Sequence, residues 1–457
     1  MRSQRNAATP INRLPPEILI LLPDFLGKDP FRDDAIIALT HVCQAWRQVF
    51  TTRPSLWTDL DCVDTDKTLV YLERSKFSPI DLSLCRYGDI PPDDPFFKIT
   101  PHAVGRLKSL SVLGTEENLQ GIIDHLSHSA PLLDYMSIRG TPYKFELGGT
   151  TTLAPAIFGG DLSSLRELRL QYVSTQLPWR NMINLTSLEL VNTSPVSTRQ
   201  LLDFLESALH LREVELHFET PTSGVQRGRL VSLPHLKSMS IDGGSSSALL
   251  DHLLIPVGAR LTAEVDLPSF PTVNHSLSFL DNLRNLPDFT KIRLTYGENP
   301  CMRFSGPNGK VRMDLATSSD DGTHTVFQCL SVFDASKTER LKIDFDGTSF
   351  DDPPNQTLIR MKGLRTLELF RSASPRVFIR ALDPNQNSSG VVVWPKLEDL
   401  VFSQAEEVDI EDVIEMAAAR ESRGAKLKSV RIPSRWGRAF ARSDVLELEK
   451  YVSHLEC

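Results

Sequence analysis

The stretch LRELRLQYVSTQLPWRNMINLTSLELVN, Leu165 to Asn192, holds two copies of one short segment. They are Leu165-x-x-Leu168-x-Leu170 and Leu185-x-x-Leu188-x-Leu190. Working outward, the same segment stands at Leu107–Val112, Leu133–Ile138, Leu211–Leu216, Leu236–Ile241 and Phe289–Leu294. Later copies stand at Leu364–Leu369, Leu397–Phe402 and Leu427–Ile432, with weaker ones at Leu261–Leu267 and Leu341–Phe345. Ile80-x-Leu82-x-Leu84 is expected to be the first. The central positions 110, 136, 168, 188, 214, 239, 265 and 292 lie 26, 32, 20, 26, 25, 26 and 27 residues apart. That is close to the period of roughly 20–29 residues of leucine-rich repeats.

Between the copies lie segments of helical period: Ser197–His210, Ser245–Leu254, Asn274–Leu286, Val326–Ala335, Arg376–Leu382 and Ile410–Arg423. Strand, helix and strand at a fixed period predict a parallel sheet with helices on its other side. A single unit cannot bury its leucines; stacked neighbours can. The expected fold class is therefore α/β: a small N-terminal helical domain over 11–60, then a leucine-rich-repeat-like solenoid over 61–442. Its sheet is expected on the concave face and its helices on the convex face, with about twelve rungs. Residues 1–10 are polar and expected to be disordered. Ser443–Glu456, within 443–457, is expected to form a capping helix.

Two irregularities are visible. The place three residues after the last Leu, where a regular repeat carries Asn, holds Val173, Thr193, Glu219 and Gly244. Lys310–Leu315 could fill the gap between positions 292 and 341, while Ser305-Gly306-Pro307-Asn308-Gly309 reads as a hairpin turn.

Composition bounds the function. The formal charge is −8, from 50 basic and 58 acidic side chains, which gives no general attraction to nucleic acid or to an anionic membrane. No window approaches the ~18 apolar residues of a membrane helix. The six cysteines are widely spaced and form no CxxC, so they read as reduced thiols. MRSQRNAATP carries no apolar run, so a cytoplasmic or nuclear location is expected.

Ile11 to Trp57, INRLPPEILILLPDFLGKDPFRDDAIIALTHVCQAWRQVFTTRPSLW, has a different texture. Proline fits a helix first turn, so a helix is expected to start at Pro15 or Pro16. Ile18, Leu19, Leu21, Leu22 and Phe25 make it apolar on more than one side, and Pro23 bends or ends it. Asp33 or Asp34 can cap a second helix, whose apolar face runs from Ala35 through Val42 and Cys43 to Trp46 and Phe50. At ~1.5–3 kcal/mol per buried large side chain, so few residues form only a marginal core. The surplus apolar surface calls for a partner or for the following domain.

Leu14-Pro15-x-Glu17-Ile18-Leu19, Val42-Cys43-x-x-Trp46-Arg47 and Leu56-Trp57, in that order, resemble the F-box. The layout resembles the F-box proteins of mushroom-forming fungi. The resemblance implies a substrate receptor that docks a Skp-type adaptor, and through it a cullin–RING ubiquitin ligase. It implies adaptor contacts at Leu14, Pro15, Ile18, Leu19, Val42, Cys43, Trp46 and Trp57. It implies no bond chemistry by the chain itself and an unidentified protein substrate held by the array. The alternative is a repeat scaffold that assembles with no ligase.

Substrate contacts are expected between the strand leucines, at Glu167, Arg169, Tyr172, Glu189, Glu215, His217, Arg293, Lys342, Glu368 and Arg371. Both signs of charge occur there, so no ligand class follows. His125-x-x-His128 lacks a third metal ligand. Gly148-Gly149, Gly159-Gly160 and Gly243-Gly244 build no phosphate loop, and Ser319–Gly322 no calcium loop. No cofactor and no catalytic residue is expected.

Overall fold

In the computed structural model, the described residues are 9–26, 32–86, 94–141, 151–193, 197–217, 229–242, 249–256, 259–267, 291–296, 301–305, 311–317, 338–345, 360–370, 375–387, 390–403, 408–432 and 440–456. The chain falls into two units, Met1–Val196 and Ser197–Cys457.

The first unit opens with three short helices, α1 (Pro16–Leu19), α2 (Arg32–His41) and α3 (Gln44–Thr51). Then come β1 (Asp59–Asp61), α4 (Thr65–Ser75), β2 (Ile80–Arg86), α5 (Pro95–Ala103), β3 (Leu107–Gly114), α6 (Glu116–Asp124), β4 (Tyr135–Gly140), β5 (Glu167–Gln171) and β6 (Ser187–Val191). The six strands pair in parallel and in chain order. Register puts Leu82, Leu110, Met136, Leu168 and Leu188 in one row, and all five are buried. Leu84, Val112, Ile138, Leu170 and Leu190 form a second buried row. Alternate residues point to opposite faces of a strand, so the positions between the leucines form a second, partly exposed face.

A backbone ladder fixes the rows. The residue after the first leucine of each copy donates its N–H to the equivalent carbonyl of the copy before. Asp134 donates to Lys108 at 2.8 Å, Arg166 to Asp134 at 2.8 Å and Thr186 to Arg166 at 2.8 Å. The second unit repeats it, with Lys237 to Arg212 at 2.7 Å, Glu398 to Arg365 at 2.8 Å and Lys428 to Glu398 at 2.7 Å.

In the second unit, α7 (Thr198–Ser207) begins with a capping box: Ser197 and Gln200 exchange side-chain-to-backbone hydrogen bonds. The strands are β7 (Glu213–His217), β8 (Ser238–Asp242), β9 (Arg260–Leu267), β10 (Lys291–Tyr296), β11 (Cys301–Ser305), β12 (Val311–Thr317), β13 (Arg340–Phe345), β14 (Thr366–Phe370), β15 (Asp399–Ser403), β16 (Leu427–Arg431) and β17 (Val452–Glu456). Three more helices are α8 (Pro375–Leu382), α9 (Ile410–Ser422) and α10 (Arg442–Leu448). Pairing is parallel except at β11, which is antiparallel to both β10 and β12. β12 pairs with β9, and β10 pairs with β13. Val311–Thr317 is thus a strand, but it lies between β9 and β11 and not between β10 and β13; the turn read at 305–309 lies, from 306 on, outside the described residues.

Two expectations are corrected at the ends of elements. Ser443–Glu456 is not one helix: α10 stops at Leu448, and Val452–Glu456 adds a parallel strand beside β16. The alternation Val452-Ser-His-Leu455 has strand period and buries Val452. Of the expected helix Ser245–Leu254, residues 245–248 lie outside the described residues, and Leu253–Leu254 is extended and pairs with Val231–Ser232. The expected helices Asn274–Leu286 and Val326–Ala335, the Ser319–Gly322 segment and residues 1–8 lie outside the described residues.

The places read as an absent asparagine row hold buried Val173 and Thr193, and Thr193 Oγ1 has no hydrogen-bond partner. One residue earlier, Tyr172 and Asn192 both take left-handed backbone, at φ 54° and 48°. Tyr172 N–H donates to Val191 O at 2.9 Å, which sets its own carbonyl against Gly140. A Cβ on Gly140 would stand 2.8 Å from that oxygen, so only glycine fits. Gly140→Ala should lower stability by ~1–3 kcal/mol, the usual cost of overpacking, in a urea melt. Gly105→Ala, with nothing within 4 Å of the new carbon, should change it far less.

Candidate partner-binding surfaces

The N-terminal helices are joined to the first strand–helix unit by a few specific contacts. α1 starts at Pro16 and lasts one turn; Pro23 falls in the following 3-10 turn, Leu22–Leu26. The single apolar face read from Ala35 to Phe50 is broken at Val42–Cys43. Cys43 is fully extended, at φ −159° and ψ 173°, and stands at the N-cap of α3. Arg47 Nε donates to Thr40 O at 3.0 Å across this break. Arg53 Nη1 donates to Ile20 O at 2.6 Å and ties α1 to the chain after α3.

Trp57 is the pivot. It is completely buried, and its Nε1 donates to Phe50 O at 3.0 Å. Tyr71 of α4 meets its ring edge-on at 4.9 Å, and the Arg74 guanidinium lies over the ring at 4.4 Å. Burial pushes the Tyr71 phenol above its ordinary pKa, as expected for a ring packed under Lys67 and Trp57. Lys67 also pairs with Asp33 of α2 at 2.6 Å. Asp33 thus sits in the first turn of α2 and links two helices.

Of the eight residues singled out in this stretch, Leu19, Trp46 and Trp57 are interior. Leu14, Pro15, Ile18 and Val42 are exposed, and Cys43 is half-buried. The exposed apolar set also includes Ile11, Leu21 and Phe25, the last 83% exposed. Sequence reasoning did not place these three among the contacts. Their signal was the apolar surplus on more than one side of the first helix. The buried aromatics support this surface from beneath: Trp46 meets Phe50 edge-on at 5.7 Å, and its Nε1 has no acceptor.

The second surface is the non-core face of the strands. Arg169 lies 3.6 Å from Glu189 and 3.8 Å from Glu167, with its guanidinium over Tyr135. Gln171 donates to Glu189, and Tyr172 is half-buried. In the second unit, His217 lies between Glu215 at 3.0 Å and Asp242 at 3.4 Å, and Lys342 pairs with Glu368. Arg293 stands opposite Lys342 in register, and Arg371 lies outside the described residues. Most of the expected face residues are thus engaged with each other, one strand to the next.

No cluster of three metal-ligating side chains occurs among the described residues. His125 stacks on Phe97 at 4.4 Å and is a surface residue. No described helix is long and apolar enough to cross a membrane.

No family model matches this chain. No curated protein matches it either. Among solved structures it is similar to the "Crystal structure of Rad7 and Elc1 complex in yeast", at 12% identity over 93% of this chain and 90% of that one. The TM-score is 0.27, too low to bear on fold or function.

Two measurements probe the N-terminal assembly. Trp57→Phe removes a buried hydrogen bond, while Phe50 O keeps the Arg53 N–H at 3.3 Å, so it should cost ~0.5–1.5 kcal/mol beyond the loss of ring area. Trp46→Phe removes a donor that has no acceptor, so it should cost less in the same denaturant series. Cys62 is buried at the end of β1, and burial first, then Asp94 and Asp61, pushes its thiol up to about 12 from 9.0. The folded state therefore favours the neutral thiol. That contribution is complete below pH ~9 and is lost as the pH rises towards 12. At pH 8, iodoacetamide should label exposed Cys85 and spare Cys62 until the protein is unfolded.

Proposed function

We propose that the chain is the substrate-receptor subunit of a Skp–cullin–F-box-type ubiquitin ligase in the cytoplasm or nucleus. In this reading Ile11–Trp57 is an F-box that docks a Skp-type adaptor. The strands that follow are an irregular leucine-rich-repeat solenoid that holds a protein substrate. The observation that carries the reading is the exposed apolar set Leu14, Ile18, Leu21, Phe25 and Val42 on short helices, over buried Trp46 and Trp57. Apolar anchors dominate interfaces of this kind once buried. Each would add ~1.5–3 kcal/mol on full burial, before the costs of association. Leu19, Trp46 and Trp57 shape the surface and do not touch the adaptor.

The chain performs no bond chemistry in this mechanism. It raises the effective concentration of substrate lysines near a charged conjugating enzyme. The bridge is rigid where it has to be. Trp57, Tyr71, Arg74 and the Lys67–Asp33 pair join the docking helices to the first strand–helix unit.

The test is a pull-down of a Skp-type adaptor by the full chain and by the Leu14→Asp/Ile18→Asp/Val42→Asp variant. All three side chains are exposed, so the variant should fold. Wild-type binding that the variant weakens at least a hundred-fold supports the reading. No binding by the wild type overturns it and leaves a scaffold without a ligase. Adaptor bound without a cullin would separate adaptor docking from ligase assembly.

A further inference from the structure

Most half-buried or buried arginines among the described residues are given acceptors. Arg86 pairs with Asp94 at 3.1 Å, and Arg106 donates to Ser78 O and Leu72 O at 3.2 and 3.1 Å. Arg229 pairs with Asp203 and Glu206, and Arg169 lies against Glu189. Even Arg420, fully buried and without a carboxylate, donates to Val393 O and Trp394 O at 2.7 and 3.0 Å. Two half-buried arginines among the described residues have no acceptor: Arg74, whose guanidinium lies over the Trp57 ring, and Arg139, which has no such ring. Arg139 is half-buried in β4, its Nε is out of reach of water, and it has neither a hydrogen bond nor an ion pair.

In register, Arg139 stands between Leu113 and Gln171, so its row holds no carboxylate on either neighbouring strand. One step along the same face, Ser137 is completely buried, and its Oγ has no partner. Ser137 stands beside Ser111, and Ser111 beside Ser83, so a row of three serines crosses three strands, its β4 member two residues before Arg139. A buried hydroxyl and a partly desolvated guanidinium left unpaired are each costly, by ~1–3 kcal/mol or more. Two such groups at positions 137 and 139 of one strand, on one face, are donors that one oxyanion can satisfy.

We propose that Arg139, with the hydroxyls of Ser137 and Ser111, forms a binding site for an oxyanion on a partner protein. A guanidinium offers paired donors that match a carboxylate or a phosphate, and the hydroxyls supply further donors. The proposal rests on the reading of this sheet face as a partner surface only for the source of the oxyanion.

The probes are three fluorescein-labelled heptapeptides of alanine, with phosphoserine, glutamate or serine at the centre, read by fluorescence anisotropy on the full chain at low salt. The expected result is binding of an anionic peptide, none of the serine peptide, and at least ten-fold weaker binding by Arg139→Gln. That loss corresponds to one charge-assisted hydrogen-bonded contact. Arg180→Gln, on an exposed arginine, should leave the affinity unchanged. Ser137→Ala should weaken binding too, and it guards against a fold defect in the arginine variant. Preference for phosphoserine assigns a phosphate ester, and preference for glutamate a carboxylate. Equal affinity of Arg139→Gln and wild type, or no binding of either anionic peptide, overturns the proposal. Adaptor pull-down by Arg139→Gln should match the wild type, so failure of this site and failure of the ligase reading are separate results.

Discussion

Most strands of the parallel sheets are completed by the one before. The N–H after the first leucine of a copy goes to the matching carbonyl of its predecessor, as in Asp134 to Lys108, Arg166 to Asp134 and Glu398 to Arg365. That bond sets the register, and register decides everything on both faces. On one face it stacks Leu110, Met136, Leu168 and Leu188 into a dry row. On the other it brings Arg169 beside Glu189 and Lys342 beside Glu368, whatever the connecting segments do. The spacing can therefore drift between 20 and 33 residues without loss of the core, because only the strand has to align.

The same logic governs the N-terminal helices. Short helices bury too little to hold themselves, and these borrow a core. Trp57 enters the first strand–helix unit, receives Tyr71 and Arg74 from α4, and returns a hydrogen bond to Phe50 of α3. What remains outside is an apolar surface that is not needed for folding.

The recurring six-residue pattern made the strands readable, because strand period and repeat spacing are both local. The α1 start at Pro16 and the α7 segment were readable for the same reason. Three things were not. The break at Cys43 occurs inside an unbroken apolar run, and no residue there forbids a helix. The last strand, Val452–Glu456, follows a helix with only a short turn between, so the change of period is easily read as one continuous element. Burial of Trp46 and Trp57 depends on packing across the unit, and sequence alone does not separate a core tryptophan from a contact tryptophan. Arg139 was invisible for a related reason. An arginine is conspicuous only when the acceptors around it are known to be missing.

The inverted hairpin has a consequence for how the second unit is assembled. A sheet whose strands follow chain order can grow by accretion, each new strand docking on a finished edge. Here β9 offers its edge to β12, while β10 reaches β13 from the far side of β11. The chain between β9 and β12 must be set aside until its end has docked, so growth in chain order stops at β9. The three-stranded meander then behaves as a preassembled plank laid across the gap. The two flanks of the sheet share one structure but have no common sequential route to it.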